Sequence, residues 1–142
     1  MTAPGLRFAG YAAIFGTPDA ARDTILPGAF RRTLAERRDP VPLFWQHRSE
    51  LRIGWAEALA EDAKGLRVVA RIDRPDSRAA KLLSDGAANG LSFGYRARAY
   101  RTTAAGRVLA DVDLFEISLV THPLQQAARV HLVTRPRPTN ER

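Results

Sequence analysis

The sequence predicts an α+β domain, a small and mostly antiparallel β-barrel flanked by two or more short helices. Three observations point there. Apolar residues recur at every second position in several short runs, which is the period of a half-buried strand. Glycine, proline and asparagine cluster between those runs, as turns require. Two stretches carry the capping and spacing signals of a helix. The 142 residues, 45% of them apolar, suffice for one domain with a core and fall short of two ordinary ones. They divide into a folded unit over residues 1–133 and a disordered Arg/Pro tail over residues 134–142.

Residues 6–14 alternate around Leu6, Phe8, Tyr11 and Ile14 and form a first strand. A polar loop leads to Ile25-Leu26. Pro27 then stands near the first turn of a short helix with Phe30 and Leu34 on one face, and Asp39-Pro40 stops it. Over residues 41–47, alternation places Val41, Leu43, Trp45 and His47 on one side of a strand. Residues 51–61 and 65–73 form a hairpin through Glu61-Asp62-Ala63-Lys64-Gly65. Asp76-Ser77 caps a second helix whose inner face is Ala79, Ala80, Leu82 and Leu83. Gly86 and Asn89-Gly90 end it. Strands over 91–101 and 107–121 flank the turn Thr102-Thr103-Ala104-Ala105-Gly106, and a short last strand covers 129–133.

Cysteine is absent, which excludes disulfides, thiolate metal sites and cysteine nucleophiles. The three histidines show no His-x-x-x-His pairing and no acidic cluster has a ligand spacing, so neither a metal nor a cofactor is expected. No run approaches the ~18 apolar residues of a membrane span. The first residues lack both a basic start and an apolar stretch, and a cytoplasmic protein without membrane contact is expected. The net charge of +7 arises from 22 basic and 15 acidic residues, with arginine dominating the basic ones. That balance is compatible with contact to nucleic acid or an acidic partner, but it does not require either. The arginines are dispersed, and no block forms a dedicated nucleic-acid arm.

Gly90-Leu91-Ser92-Phe93-Gly94-Tyr95 sets a serine between two glycines inside an apolar strand. Such a serine becomes a nucleophile only where a base reaches it. Among His47, His122 and His131, His47 ends the unusually apolar segment Val41-Pro42-Leu43-Phe44-Trp45-Gln46-His47. Glu116 interrupts the strand Leu114-Phe115-Glu116-Ile117-Ser118-Leu119-Val120, where a lone carboxylate needs a partner. Alternation sets Leu114, Glu116, Ser118, Val120 and His122 on one face, with Phe115, Ile117 and Leu119 on the other. Each residue has a plain reading too. Ser92 fits a tight strand crossing, His47 an exposed strand end, and Glu116 a salt bridge to an arginine. Taken together they form a candidate nucleophile, base and orienting carboxylate. His122 competes with Glu116 for the third role, and Ser118 is a weaker rival to Ser92 because no glycine flanks it. The bare Gly94 would let a substrate backbone approach the hydroxyl, with amides over 92–94 facing an oxyanion.

Five segments, in order, resemble the prohead (capsid-maturation) serine protease family of tailed phages, prophages and gene transfer agents. They are Phe8-Ala9-Gly10-Tyr11-Ala12-Ala13-Ile14-Phe15-Gly16, Ile25-Leu26-Pro27-Gly28-Ala29-Phe30, the His47 segment with Ile53-Gly54, the Ser92 motif, and Asp113 to Pro123 with Ala128-Arg129-Val130 beyond. The resemblance spans about residues 7–131. It implies a herpesvirus-protease-like fold, a small β-barrel surrounded by helices. It also implies a serine endopeptidase that cleaves capsid and scaffold precursors inside an assembling procapsid. The major capsid protein precursor and scaffold segments are the implied partners, and a homodimer is left open.

His47, Ser92 and Glu116 match the catalytic positions of that family, which needs no cofactor. The herpesvirus enzyme, assemblin, uses a histidine as its third member, which keeps His122 in view. Family members often carry Phe in place of His122, and Pro-Ala-Asn in place of Pro123-Leu124-Gln125. The long C-terminal extension of some relatives is not expected. The alternative function is a non-enzymatic basic module that binds or scaffolds during capsid assembly.

Overall fold

The computed structural model describes residues 5–134. Among the described residues the elements run β1 (Leu6–Ile14), β2 (Asp23–Ile25), α1 (Arg31–Glu36), β3 (Val41–Trp45), β4 (Arg48–Glu61), β5 (Gly65–Ile72), α2 (Arg78–Ser84), β6 (Gly90–Thr103), β7 (Gly106–Val120) and β8 (Val130–Thr134). Apart from Thr134, which ends β8, the expected Arg/Pro tail lies outside the described residues.

The strands form one sheet in the order β2-β7-β3-β4-β5-β1-β8, with β6 paired to β7. The β1–β5, β1–β8, β3–β4, β4–β5 and β6–β7 ladders are antiparallel. β2 and β3 run parallel to β7, beside its two ends. The architecture is α+β and dominated by strands, but the sheet is not closed into the expected barrel. Between β6 and the segment entering β8 there is an isolated bridge, Gly90–Arg129. Leu91 N–H to Ala128 O (2.9 Å) and Val130 N–H to Asn89 O (2.9 Å) support it. The physical reason is the choice β8 makes. It pairs with β1, matching Arg7 to Thr134 and Phe8 to Val133, and beyond Val130 it makes no ladder with β6 on its other edge. The flanking helices are also few and short, with six and seven residues among those described.

The core lies where alternating residues of these strands meet. Phe8, Leu43, Leu66, Ile72, Leu91, Leu109, Leu114, Ile117 and Leu119 are fully buried. Each such side chain contributes about 1.5–3 kcal/mol relative to exposure. Phe30, entering α1, is also fully buried, and Phe93 of β6 meets it edge-on with ring centroids 5.2 Å apart.

The helix ends separate two kinds of signal. Ser77 caps α2 as expected, its hydroxyl accepting from Ala80 N–H at 3.3 Å. α1 begins at Arg31, later than Pro27 suggests, because residues 26–30 turn twice before the helix. Gly28 takes φ +91° in that turn, a conformation that favours glycine. No side chain within α1 caps it. Glu61, at the far end of β4, instead accepts from Gly28 N–H and Phe30 N–H, both at 2.8 Å.

β2 is three residues long, too short for alternation to reveal it. Its anchor is Asp23, buried and facing Arg107 across the parallel ladder. Arg107 donates to both carboxylate oxygens at 2.9 Å, and the Tyr95 hydroxyl donates as well. The Arg107 hydrogen bonds hold the Asp23 carboxyl below its usual range, outweighing burial, and the Tyr95 bond adds to them. A depressed folded-state pKa contributes stability above the unfolded value of roughly 3.9. That stability is lost as pH falls through the folded pKa. The melting temperature should therefore decline on acidification from about pH 5. Asp23→Asn should melt lower at pH 7 and show a shallower acid decline. An acid slope identical to the wild type in thermal melts would remove Asp23 as a source of it.

Candidate active site

The geometry of the site begins with a hairpin. β3 and β4 are joined by Gln46 and His47, with Trp45 opposite Arg48. Both linking residues have positive φ, 54° and 61°. A two-residue turn that matches strand twist demands this, and Asn-Gly usually supplies it. Gln-His does so at a cost of order 1–3 kcal/mol per residue. Contacts to β7 and the residue after it offset that strain. Gln46 N–H donates to Leu119 O at 3.0 Å, and His47 N–H donates to Ser118 Oγ at 3.1 Å. The Gln46 amide also pairs with Thr121, donating to its hydroxyl (3.1 Å) and accepting from its N–H (3.2 Å). His47 thus lies in the turn and not on the strand face of Val41, Leu43 and Trp45.

β7 aims the acid. Gly94 faces Glu116 while Tyr95 faces Leu114, so Phe115 is an extra residue in the ladder. Such a bulge resets the alternation. Leu114 and Ile117 both enter the core, while Phe115 is 52% exposed. The expectation that Leu114 shares the face of Glu116, and Phe115 that of Ile117, fails for this reason. Gly94 has a role different from the expected one. A Cβ there would lie 2.5 Å from Glu116 Oε1 and 2.8 Å from its Cγ. The space beside Gly94 is filled by the glutamate and is closed to a substrate backbone.

Glu116 is 8% exposed and makes two short contacts. Its Oε1 lies 2.6 Å from His47 Nδ1, and its Oε2 accepts from Ser118 Oγ at 2.6 Å. An ionised carboxylate only accepts, so Nδ1 carries a proton, and in the neutral ring the lone pair is then at Nε2. The His47 side chain is 41% exposed, so the ring spans the boundary between this buried acid and solvent.

Ser92 lies directly opposite Ser118 in the β6–β7 ladder, between the buried Leu91 and Phe93. Among the described residues its hydroxyl has no hydrogen-bond partner, and none joins it to His47. Catalytic hydrogen bonds are often long before substrate binds, so this arrangement is compatible with a nucleophile at rest. The structure therefore brings His47, Glu116 and Ser118 into direct contact and sets Ser92 on the adjoining strand. His122 is exposed beyond the end of β7 and joins none of them through a hydrogen bond. His131 tilts against the Tyr11 ring on β1, with centroids 5.9 Å apart. The full burial and double engagement of Ser118 make it a poor rival nucleophile. Sequence reasoning missed Gln46 and Thr121 altogether, since neither type nor spacing announces a two-point amide clamp.

No group of three or more His, Cys, Asp or Glu among the described residues could hold a metal ion. No helix among them is long and apolar enough to cross a membrane.

A family model described as Caudovirus prohead serine protease matches residues 2–141. The chain belongs to that family. It is 36% identical over 130 residues to the prohead protease of Enterobacteria phage HK97, an alignment covering 87% of this chain. The chain spans 58% of the length of that relative. Among solved structures it is similar to the bacteriophage T4 capsid assembly protease, with a TM-score of 0.65 at 12% identity over 83% of this chain and 82% of that one. Varicella-zoster virus protease gives a TM-score of 0.59 at 16% identity, over 89% of this chain and 63% of the other. KSHV protease bound to a hexapeptide phosphonate inhibitor gives 0.55 at 16% identity, over 82% and 59%. At these identities the likeness is one of fold, and it is the herpesvirus-protease-like fold expected from the sequence.

The contact between Gly94 and Glu116 can be tested directly. Gly94→Ala should force the Glu116 carboxylate away from His47 and destabilise the domain by about 1–3 kcal/mol, the usual cost of overpacking. Denaturant unfolding measures the loss. Wild-type stability with an unmoved Glu116 in a crystal structure would contradict the packing argument.

Proposed function

We propose that this family member is a serine endopeptidase in which Ser92 is the nucleophile, His47 the general base and Glu116 the orienting carboxylate. One observation carries the reading. A partly exposed histidine, held in a strained turn, donates through Nδ1 to a buried carboxylate two ladder positions from Ser92. That arrangement leaves Nε2 as the base.

Ser92 Oγ forms a bond to the scissile carbonyl carbon as its proton passes to His47 Nε2. Collapse of the tetrahedral intermediate expels the amine, which takes that proton. A water deprotonated by the same nitrogen then attacks the acyl ester, releasing the carboxylic acid and restoring the serine hydroxyl. Glu116 holds the ring tautomer and stabilises the imidazolium at each transfer. For the oxyanion, Leu91 N–H already donates to Ala128 O, on the side away from β7. Antiparallel alternation turns Phe93 N–H to the same side and those of Ser92 and Gly94 toward β7. Phe93 N–H is therefore the amide assigned to the oxyanion.

Membership in a prohead protease family supports capsid and scaffold precursors as substrates, within an assembling procapsid. Its likeness to the HK97 prohead protease and the T4 capsid assembly protease agrees with that setting. The positive charge favours the rival binding module less than its total suggests. Arg32, Arg96 and Arg98 converge on Asp113, Arg32 also meets Asp111, and Arg107 is paired with Asp23.

Co-expression with a capsid precursor tests the proposal. Ser92→Ala and His47→Ala should fold yet lose processing by roughly 10⁴-fold or more. Undiminished processing by soluble Ser92→Ala ends the proposal.

A further inference from the structure

We infer that Ser118 is a positioning residue that fixes both members of the His47–Glu116 pair, an inference that rests on the protease reading above. Its hydroxyl is fully buried and is engaged in two directions. It donates to Glu116 Oε2 at 2.6 Å and accepts from His47 N–H at 3.1 Å. A serine hydroxyl has one proton and two lone pairs, so both contacts are directional.

Each contact removes a different freedom. A carboxylate tied to His47 through Oε1 alone can still rotate about its terminal torsion, and the Ser118 bond at Oε2 sets its plane. The His47 backbone sits in a left-handed conformation, and its N–H is held to the same oxygen. Base and acid are thereby referred to one point on β7. Ser92 stands opposite that point, so a single strand pair sets all three groups. Gln46 and Thr121 hold the turn as well, but neither touches Glu116. Ser118 alone among these clamps joins the two.

The test is the rate at which a fluorophosphonate probe labels Ser92, measured against pH, together with the downfield proton resonance of the His47 imidazole. Ser118→Ala should label roughly 10- to 100-fold more slowly per folded molecule, the usual cost of mislaying a catalytic group by about an ångström. The acid limb of its pH profile should move, and the His47 Nδ1 proton signal should shift upfield or broaden by exchange. If the alanine variant does not fold, Ser118→Cys, close in volume and a weak donor, should give the same changes in smaller measure. Wild-type rate, profile and resonance in the folded variant overturn the inference. So does a rate loss matched by lost folded fraction with profile and resonance unmoved. Ser92→Ala is the control. Continued labelling of that variant, or none of the wild type, would fail the protease reading itself.

Discussion

A carboxylate taken almost out of water inside a strand is the constraint from which the rest of this site follows. Burying such a group without partners costs several kcal/mol. Glu116 therefore needs donors, space and a strand that points it away from the core. The donors are His47 and Ser118, the space is the missing side chain at Gly94, and the direction comes from the extra residue at Phe115. The bulge and glycine that accommodate the acid are set by neighbouring residues of the β6–β7 ladder, while its imidazole partner comes from a hairpin far away in sequence.

That hairpin shows how strain is held. A Gln-His pair does not favour the left-handed turn it occupies, and left to itself the turn would relax. Its bonds to Leu119, Ser118 and Thr121 all reach the C-terminal end of β7 or the residue after it. The same region of β7 pairs in parallel with β3, matching Leu43 to Ile117 and Trp45 to Leu119. The buried side chains of Leu43, Ile117 and Leu119 anchor that pairing in the core. Hydrophobic burial thus fixes the ladder, the ladder positions the turn, and the turn delivers the imidazole. The opposite end of β7 is pinned by electrostatics instead, through Asp23 and Arg107.

What could be read from the chain divides along the range of the forces involved. Alternation is local, and it located every strand except β2, whose three residues cannot display a period. The Ser77 cap is local too, and it was legible. Ser92, His47 and Glu116 stood out because each is a chemically awkward residue in an apolar setting. The reasons for their settings were not legible. Gly94 reads in the sequence as room for a substrate, whereas it admits a glutamate that faces it only once β6 and β7 align. The Phe115 bulge is a property of two strands and leaves no mark on one. The α1 cap from Glu61 joins residues more than thirty positions apart. Barrel closure is absent for a similar reason, since it turns on how far the bridge at Gly90–Arg129 extends between two strands distant in sequence.

Register links these local and distant effects. A slip of one residue between β6 and β7 would place Leu91 and Phe93 toward the site and drive Ser92 into the core. The hydrophobic penalty opposes that slip, because Leu91 is fully buried and Phe93 nearly so. The Glu116 side chain opposes it independently, since it fills the space that a Cβ at the facing position would take. Two unrelated constraints therefore select the same alignment. The glycine that follows Ser92 by two positions acts as a register pin for the serine.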